Sequence, residues 1–220
     1  MVKVILSGYG KMGHMVEKAL QERGVELVAA SNDIQAVDPA VAKECVCIDF
    51  TTPDAFRANY PFIARHFKAA VVGTTGWNDI RADVLRAFET AGTPMIYASN
   101  FSLGVNALMA AVTRATAVLK GAGYKADIEE IHHIHKLDAP SGTAKTLAGL
   151  VEEGLGTKPD ISSIREGEVP GIHTLTLRSS CDELTFRHEA FSREGFAQGA
   201  VTAALLTEGL QGVHEFSELL

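Results

Sequence analysis

Apolar runs of strand length alternate with stretches of helical periodicity through the first half of the chain. Val2 to Ser7 is a β-branched run that predicts a strand and opens into a glycine loop. Met12, Met15, Val16, Ala19 and Leu20 then recur at helical spacing, with Gly24 as the stop. Further strands are expected over Glu26 to Ala30, Cys45 to Phe50, Lys68 to Val72 and Pro94 to Ala98. Helices are expected from Pro53 and over Asp79 to Ala91. Such alternation through short loops predicts a parallel sheet covered on both faces.

The pattern changes after Asn100. Ser102 to Leu119 reads as a long helix, Asp127 to His133 as a strand and Thr143 to Glu152 as a helix. His173 to Arg178 and Glu183 to Glu189 read as hairpin strands, and Gly195 to Leu210 as an Ala-rich helix. The Pro, Gly and charged residues from Gly154 to Gly171 read as loop. The expected fold is α/β: a Rossmann-type parallel sheet over residues 1–101, then a second α+β domain over 102–194. Segment 195–220 is expected to return to the first domain.

Composition narrows the class. With 46% apolar and 21% charged residues the chain reads as an ordinary globular enzyme. A net charge of −7 argues against nucleic acid or an anionic membrane as partner. An anionic ligand must therefore be drawn in by a local basic pocket. Cys45, Cys47 and Cys181 show no C-x-x-C spacing and are expected as reduced core thiols. A strand begins directly at the N-terminus and no apolar stretch reaches membrane-span length, so the expected compartment is the cytoplasm.

Gly8-Tyr9-Gly10-Lys11-Met12-Gly13 is G-x-G-x-x-G between a strand and a helix. In that setting Gly8 permits a tight turn, Gly10 lets backbone approach a pyrophosphate and Gly13 lets the helix close on the strand. The helix N-terminus then favours the phosphate charge. Asn32 and Asp33, just past the second strand, suit ribose hydroxyls, and no Arg stands there for a 2′-phosphate. That favours NADH, while Lys11 keeps NADPH open. Gly73, Thr74 and Thr75, and Ala98, Ser99, Asn100 and Phe101, follow two later strands, where ligands of such sheets bind. Ordinary turn chemistry would also use these residues.

The most informative segment runs from Glu130 to Ala144, with His132, His133, His135 and Lys136 before a Pro-Ser-Gly-Thr turn. A metal site is one reading, but no cysteine or acidic partner stands at standard spacing, and adjacent strand residues face opposite ways. No metal is expected. Histidines satisfied structurally on a strand edge are the second reading. The third is catalytic: a His as general acid, Lys136 as a point charge, and the Ser141-Gly142-Thr143 helix start as a carboxylate site. Two anion sites beside a hydride donor suggest a small dicarboxylate or imine-containing acid.

Taken in order, these blocks resemble the 4-hydroxy-tetrahydrodipicolinate reductase (dihydrodipicolinate reductase) family. Ile48 to Pro53, Ser99 to Asn106, the His-His-x-His-Lys-x-Asp-Ala-Pro-Ser-Gly-Thr-Ala run, Arg165 to Gly167, Pro170 to His173 and Phe186 to Ala190 all take part. The resemblance implies hydride transfer from NAD(P)H to the cyclic imine dicarboxylate derived from 4-hydroxy-tetrahydrodipicolinate, giving tetrahydrodipicolinate, in diaminopimelate and lysine biosynthesis. It implies His132 and Lys136 as catalytic residues, with His132 the proton donor. His133, Gly142 and Thr143 would bind substrate. It also implies a homotetramer built by the second domain. The alternatives are another Rossmann dehydrogenase acting on a small semialdehyde or carboxylate, and a sensor that binds dinucleotide without turnover.

Overall fold

The structure, a computed structural model, describes residues 1–220. In chain order its strands and helices are β1 (Lys3–Ser7), α1 (Lys11–Glu22), β2 (Glu26–Ser31), α2 (Pro39–Ala42), β3 (Val46–Asp49), α3 (Pro53–His66), β4 (Ala69–Val72), α4 (Arg81–Ala91), β5 (Met95–Tyr97), α5 (Leu103–Leu119), β6 (Lys125–His132), α6 (Gly142–Leu155), β7 (Asp160–Arg165), β8 (Ile172–Arg178), β9 (Glu183–Glu189), α7 (Glu194–Leu206) and β10 (Val213–Glu215). The chain forms two compact units: Met1–Ser102 with Glu194–Leu220, and Leu103–Arg193.

The first unit holds a six-stranded sheet in the order β10-β5-β4-β3-β1-β2, parallel throughout. All side chains of β3 and β4 are buried, because helices cover both faces. Val4 and Leu6 of β1 join Val16 and Leu20 of α1 and Ala200 and Val201 of α7 on one face. Ile5, between them, joins Phe56 and Ile63 of α3 and Val84 and Phe88 of α4 on the other. That alternation is the period of two along a strand. The chain leaves β1 first toward β2 and later returns to its other side as β3. The carboxyl ends of β1 and β3 therefore flank a topological switch point, where ligands of open parallel sheets bind.

The second unit is a four-stranded sheet in the order β7-β6-β8-β9, with β6 and β7 parallel and the other pairs antiparallel. Leu108 and Val112 of α5 and Leu147 and Val151 of α6 pack on Ile128, Leu175 and Leu177. Glu130 and His132 continue the Ile128 face of β6, so the apolar face of this sheet ends in ionisable groups.

Four sequence expectations need correction. The stretch from Gly154 to Gly171 is not all loop, since it contains β7, whose register runs Asp127↔Asp160 to His132↔Arg165. The last helix stops at Leu206 rather than Leu210, where Thr207 turns its hydroxyl onto the Ala204 carbonyl at 2.7 Å. The three residues of β10 then add a sheet edge that was not expected. Cys45 and Cys47 are buried thiols, whereas Cys181 is exposed in the tight β8–β9 turn.

Candidate active site

The glycine loop follows β1 at the switch point. Gly8 has φ +90°, and a Cβ there would lie 2.5 Å from the Phe50 carbonyl oxygen. A Cβ at Gly13 would lie 2.6 Å from the Gly8 oxygen, so both positions need glycine for the fold itself. Gly10 differs: nothing lies within 4 Å of its missing Cβ. It caps α1 without a side-chain hydrogen bond, and the first turn of that helix carries no acidic residue. The helix start is thus open to an anion at the one glycine of this loop that packing does not require.

The end of β2 is tied to this loop. Asn32 Oδ1 accepts the Tyr9 N–H at 2.9 Å, and Ser31 Oγ accepts the Asp33 N–H at 3.0 Å. Asp33 and Lys11 are both exposed. A buried carboxylate, Asp49 at the end of β3, joins the next two loops. Its Oδ1 accepts from Thr74 Oγ1 at 2.5 Å and Thr51 Oγ1 at 3.0 Å, while Thr74 Oγ1 accepts the Thr51 N–H at 2.7 Å. Burial pushes the Asp49 carboxyl up, against the lowering effect of those hydroxyls. Thr74 is therefore buried with its hydroxyl committed to a structural strut, while Thr75 beside it is exposed and Gly73 half-buried. The Phe101 ring is likewise core, 5.0 Å from the Phe216 ring and 6.2 Å from that of Phe50. At Phe101, as at buried Ala98, only backbone is left to offer a ligand, whereas Ser99 is exposed. Asn100, half-buried, accepts the Ser102 N–H at 2.8 Å.

In the second unit, sheet register assembles the ionisable cluster. Glu130 pairs with His173 across β6 and β8, and His132 pairs with Arg165 across β6 and β7. Glu130 is fully buried. Its Oε1 accepts from Arg165 Nη2 at 2.8 Å and from the Ser141 N–H at 3.3 Å. Its Oε2 lies against His132 Nδ1, an ion pair when the imidazole is protonated, and neither atom has a hydrogen-bond partner. A carboxylate oxygen in that place repels a lone pair on Nδ1 and so favours a proton there. Burial works to raise the Glu130 carboxyl, but the Arg165 guanidinium and then the Ser163 hydroxyl, the His132 charge and the Ser141 contact outweigh it and hold it low. Burial lowers His132, with the Glu130 charge opposing.

The His173 ring stands edge-on to that of His132 at 5.0 Å, and its Nε2 shares a 3.1 Å hydrogen bond with Ser141 Oγ. Burial, and then the His132 charge, lowers His173 to about 4. Ser141 caps α6 by accepting the Ala144 N–H at 3.2 Å, which leaves exposed Gly142 and half-buried Thr143 as the first residues of that helix. Lys136, on the loop after β6, has its Nζ 2.7 Å from Asp138 Oδ1, and this ammonium holds the Asp138 carboxyl low.

The expected group thus divides. His132, Lys136 and the Gly142–Thr143 helix start share one region through Glu130, Arg165 and Ser141. Arg165 also donates from Nη2 to the Asp138 carbonyl at 2.6 Å, fixing the loop that carries Lys136. His133 is half-buried with an unpartnered Nδ1, and His135 lies at the surface, 3.3 Å from Glu168. Glu130, Arg165 and His173 were not among the expected site residues. The signal for Glu130 was its place two residues before His132 on a strand, hence on the same face. It is also the acidic neighbour thought to be missing: Glu130, His132 and His173 offer ligand atoms within 4.8 Å of one another. Arg165 already places a fixed positive charge on that carboxylate, which opposes a cation there, and no ligand set is assigned.

Comparison with known proteins fits this geometry to a family. Residues 2–101 match the family model "Dihydrodipicolinate reductase, N-terminus", and residues 104–220 match "Dihydrodipicolinate reductase, C-terminus". The chain is 37% identical over 233 residues to the 4-hydroxy-tetrahydrodipicolinate reductase of Christiangramia forsetii, covering 100% of this chain and 98% of that one. It is 34% identical over 244 residues to the enzyme of the same name from Akkermansia muciniphila, again covering 100% and 98%. In fold it is similar to a dipicolinate-bound dihydrodipicolinate reductase from Paenisporosarcina sp. TG-14, with TM-score 0.83, 20% identity and 100% of both chains covered. The chain belongs to the dihydrodipicolinate reductase family.

Proposed function

We propose that this protein reduces the cyclic imine dicarboxylate derived from 4-hydroxy-tetrahydrodipicolinate to tetrahydrodipicolinate, in diaminopimelate and lysine biosynthesis. The observation that carries this reading is the second unit's pairing of a buried, carboxylate-backed imidazole with an ammonium and an anion-suited helix start. His132 supplies a proton from Nε2, because Nδ1 is committed to Glu130. Lys136 attracts one substrate carboxylate in competition with Asp138, and the N–H groups at Gly142 and Thr143 suit the other. His133 borders the same loop and is assigned to substrate binding.

The residues of the first unit fit a nicotinamide dinucleotide, whose reduced ring supplies the hydride when bound. Gly8, Gly10 and Gly13, with the intervening Tyr9, Lys11 and Met12, shape the pyrophosphate turn. Asn32 spends its amide oxygen on the loop, so Asp33 is left for the ribose hydroxyls. Its exposed carboxylate would repel a 2′-phosphate, which favours NADH over NADPH, and Lys11 is the one cation of the glycine loop able to answer it. Gly73, Thr75, Ser99 and Asn100, with the backbone of Thr74, Ala98 and Phe101, are assigned to the nicotinamide side.

No helix is long and apolar enough to cross a membrane. A cytoplasmic location follows from the biosynthetic role proposed here. A homotetramer is carried over from the family resemblance; the face of the second sheet opposite α5 and α6, with Thr174, Thr176, Thr185 and Arg187, is its proposed interface. The reaction is tested by supplying aspartate semialdehyde, pyruvate and the upstream synthase with NADH and NADPH in parallel. Oxidation of both, faster with NADH, is expected; oxidation of neither would reject the assignment.

A further inference from the structure

A carboxylate with no solvent exposure is held in a folded protein only where its partners repay its desolvation. Glu130 is such a group, and its partners are unusual in where they come from. Arg165 belongs to β7, Ser141 opens α6, and His132 lies on its own strand two residues on. Arg165 carries the link further, to the Asp138 carbonyl of the loop that bears Lys136. One buried side chain thus touches the imidazole, the helix start and, through a guanidinium, the cationic loop.

We infer that Glu130 is the positioning residue of this site, fixing His132 as the Nδ1–H tautomer so that Nε2 is the nitrogen presented for proton transfer, and setting the first turn of α6 against it through the Ser141 N–H. The inference rests on the reading of His132 as proton donor. A carboxylate behind an imidazole does two things: it selects the tautomer, and it stabilises the protonated ring. The second matters because the other charges around His132 oppose protonation. Arg165 on β7 and Lys136 on the following loop disfavour a further positive charge, while His173 on β8, itself lowered by burial and by the His132 and His188 charges, faces His132 as a neutral ring. Glu130 is the anion that faces them.

The first test needs no variant. In the wild-type protein without substrate, imidazole ¹⁵N NMR should show the neutral form of His132 protonated at Nδ1; a proton on Nε2 overturns the inference. In Glu130→Gln, kcat should fall at least tenfold with KM changed less than threefold. The basic limb of the kcat–pH profile should move to lower pH, because the anion favouring imidazolium is gone. Combined with His132→Gln, the Glu130→Gln change should cost almost nothing more, since its effect is exerted through that ring. An unshifted basic limb, or a loss that multiplies in the double variant, overturns the inference.

Should Glu130→Gln not fold, Glu130→Asp keeps the charge opposite Arg165 while withdrawing it from Nδ1. It should lower kcat and shift the limb in the same direction, and wild-type behaviour in it would count against the inference. The wild-type NMR is independent of turnover. A protein inactive in the coupled assay but with the Nδ1–H tautomer would lose the proposed reaction alone, and an active one with the other tautomer would lose the role of Glu130 alone.

Discussion

Ser141 Oγ and His173 Nε2 lie 3.1 Å apart, and Ser141 accepts the Ala144 N–H through the same oxygen. The serine thus joins the start of α6 to a buried histidine at the end of the second sheet's inner face. His173 is only 5% exposed and is lowered to about 4, mainly by burial, so it is neutral across the physiological range. In the unfolded chain a histidine titrates near 6.5. Between about 6.5 and about 4 the unfolded state therefore binds more protons than the folded one, and stability falls as pH is lowered. The loss from this residue is on the order of 3 kcal/mol once both states have titrated. Burial lowers His132 and His188 as well, so they act in the same direction. Urea unfolding at successive pH values should show this slope, flattened in His173→Gln. An equal slope in the variant would mean that His173 is not the group responsible.

His132→Gln tests the proton donor directly. Removing a general acid should lower kcat by about 10²- to 10⁴-fold, with a much smaller change in KM. Lys136→Ala should do the reverse in part, raising KM for the dicarboxylate tenfold or more, since it removes a charge that binds the ground state too. Steady-state kinetics separates the two. Near-normal turnover of His132→Gln would remove His132 from the chemistry.

The glycine loop offers a cleaner separation of fold from ligand. Gly13→Ala would drive a Cβ to 2.6 Å from the Gly8 carbonyl oxygen, backbone that has no room to yield. It should destabilise the protein by about 1–3 kcal/mol. Gly10→Ala meets nothing within 4 Å and sits at an ordinary φ of −89°, so its cost should stay within about 1 kcal/mol as a poorer helix cap. Yet Gly10→Ala should raise KM for NADH about tenfold, a 1.4 kcal/mol loss, if backbone must approach the pyrophosphate there. Thermal melts and KM measured on both variants decide the point. An unchanged KM in Gly10→Ala would reject the approach.

Much of this architecture could be read from residue order because buried parallel strands and amphipathic helices leave strong local patterns. Val2 to Ser7 and Cys45 to Phe50 are such runs. β7 left none: its two isoleucines, Ile161 and Ile164, are separated by Ser162 and Ser163, so the alternation breaks, and pairing with β6 decides its conformation. The candidate site was legible where it is contiguous, from His132 to Thr143. It was illegible where register makes it: nothing local joins Glu130 to His173 or His132 to Arg165 until β6 has found both neighbours. Thr74 and Phe101 show the converse limit. Each lies in a loop that suits a ligand, but Asp49 claims the hydroxyl of one and the Phe216 and Phe50 rings surround the other.

Gly171 is the tightest constraint on the proposed proton donor. It is buried with φ +156°, and a Cβ there would stand 3.0 Å from His132 Nε2 and 3.3 Å from Cδ2. The Nδ1 side of the ring is closed by Glu130, so a methyl group at Gly171 presses on the nitrogen left for substrate. Gly171→Ala should lower kcat/KM at least tenfold, and the backbone strain should cost about 1–3 kcal/mol of stability. Strain alone would also lower both quantities, so the control is Gly156→Ala at the end of α6. That glycine has φ +78° with nothing within 4 Å of a Cβ, and the substitution should cost a similar order of stability through strain alone. If both variants lose stability but only Gly171→Ala loses turnover, crowding of Nε2 is the cause. Equal turnover in the two would show that the imidazole edge beside Gly171 is not where the proton leaves.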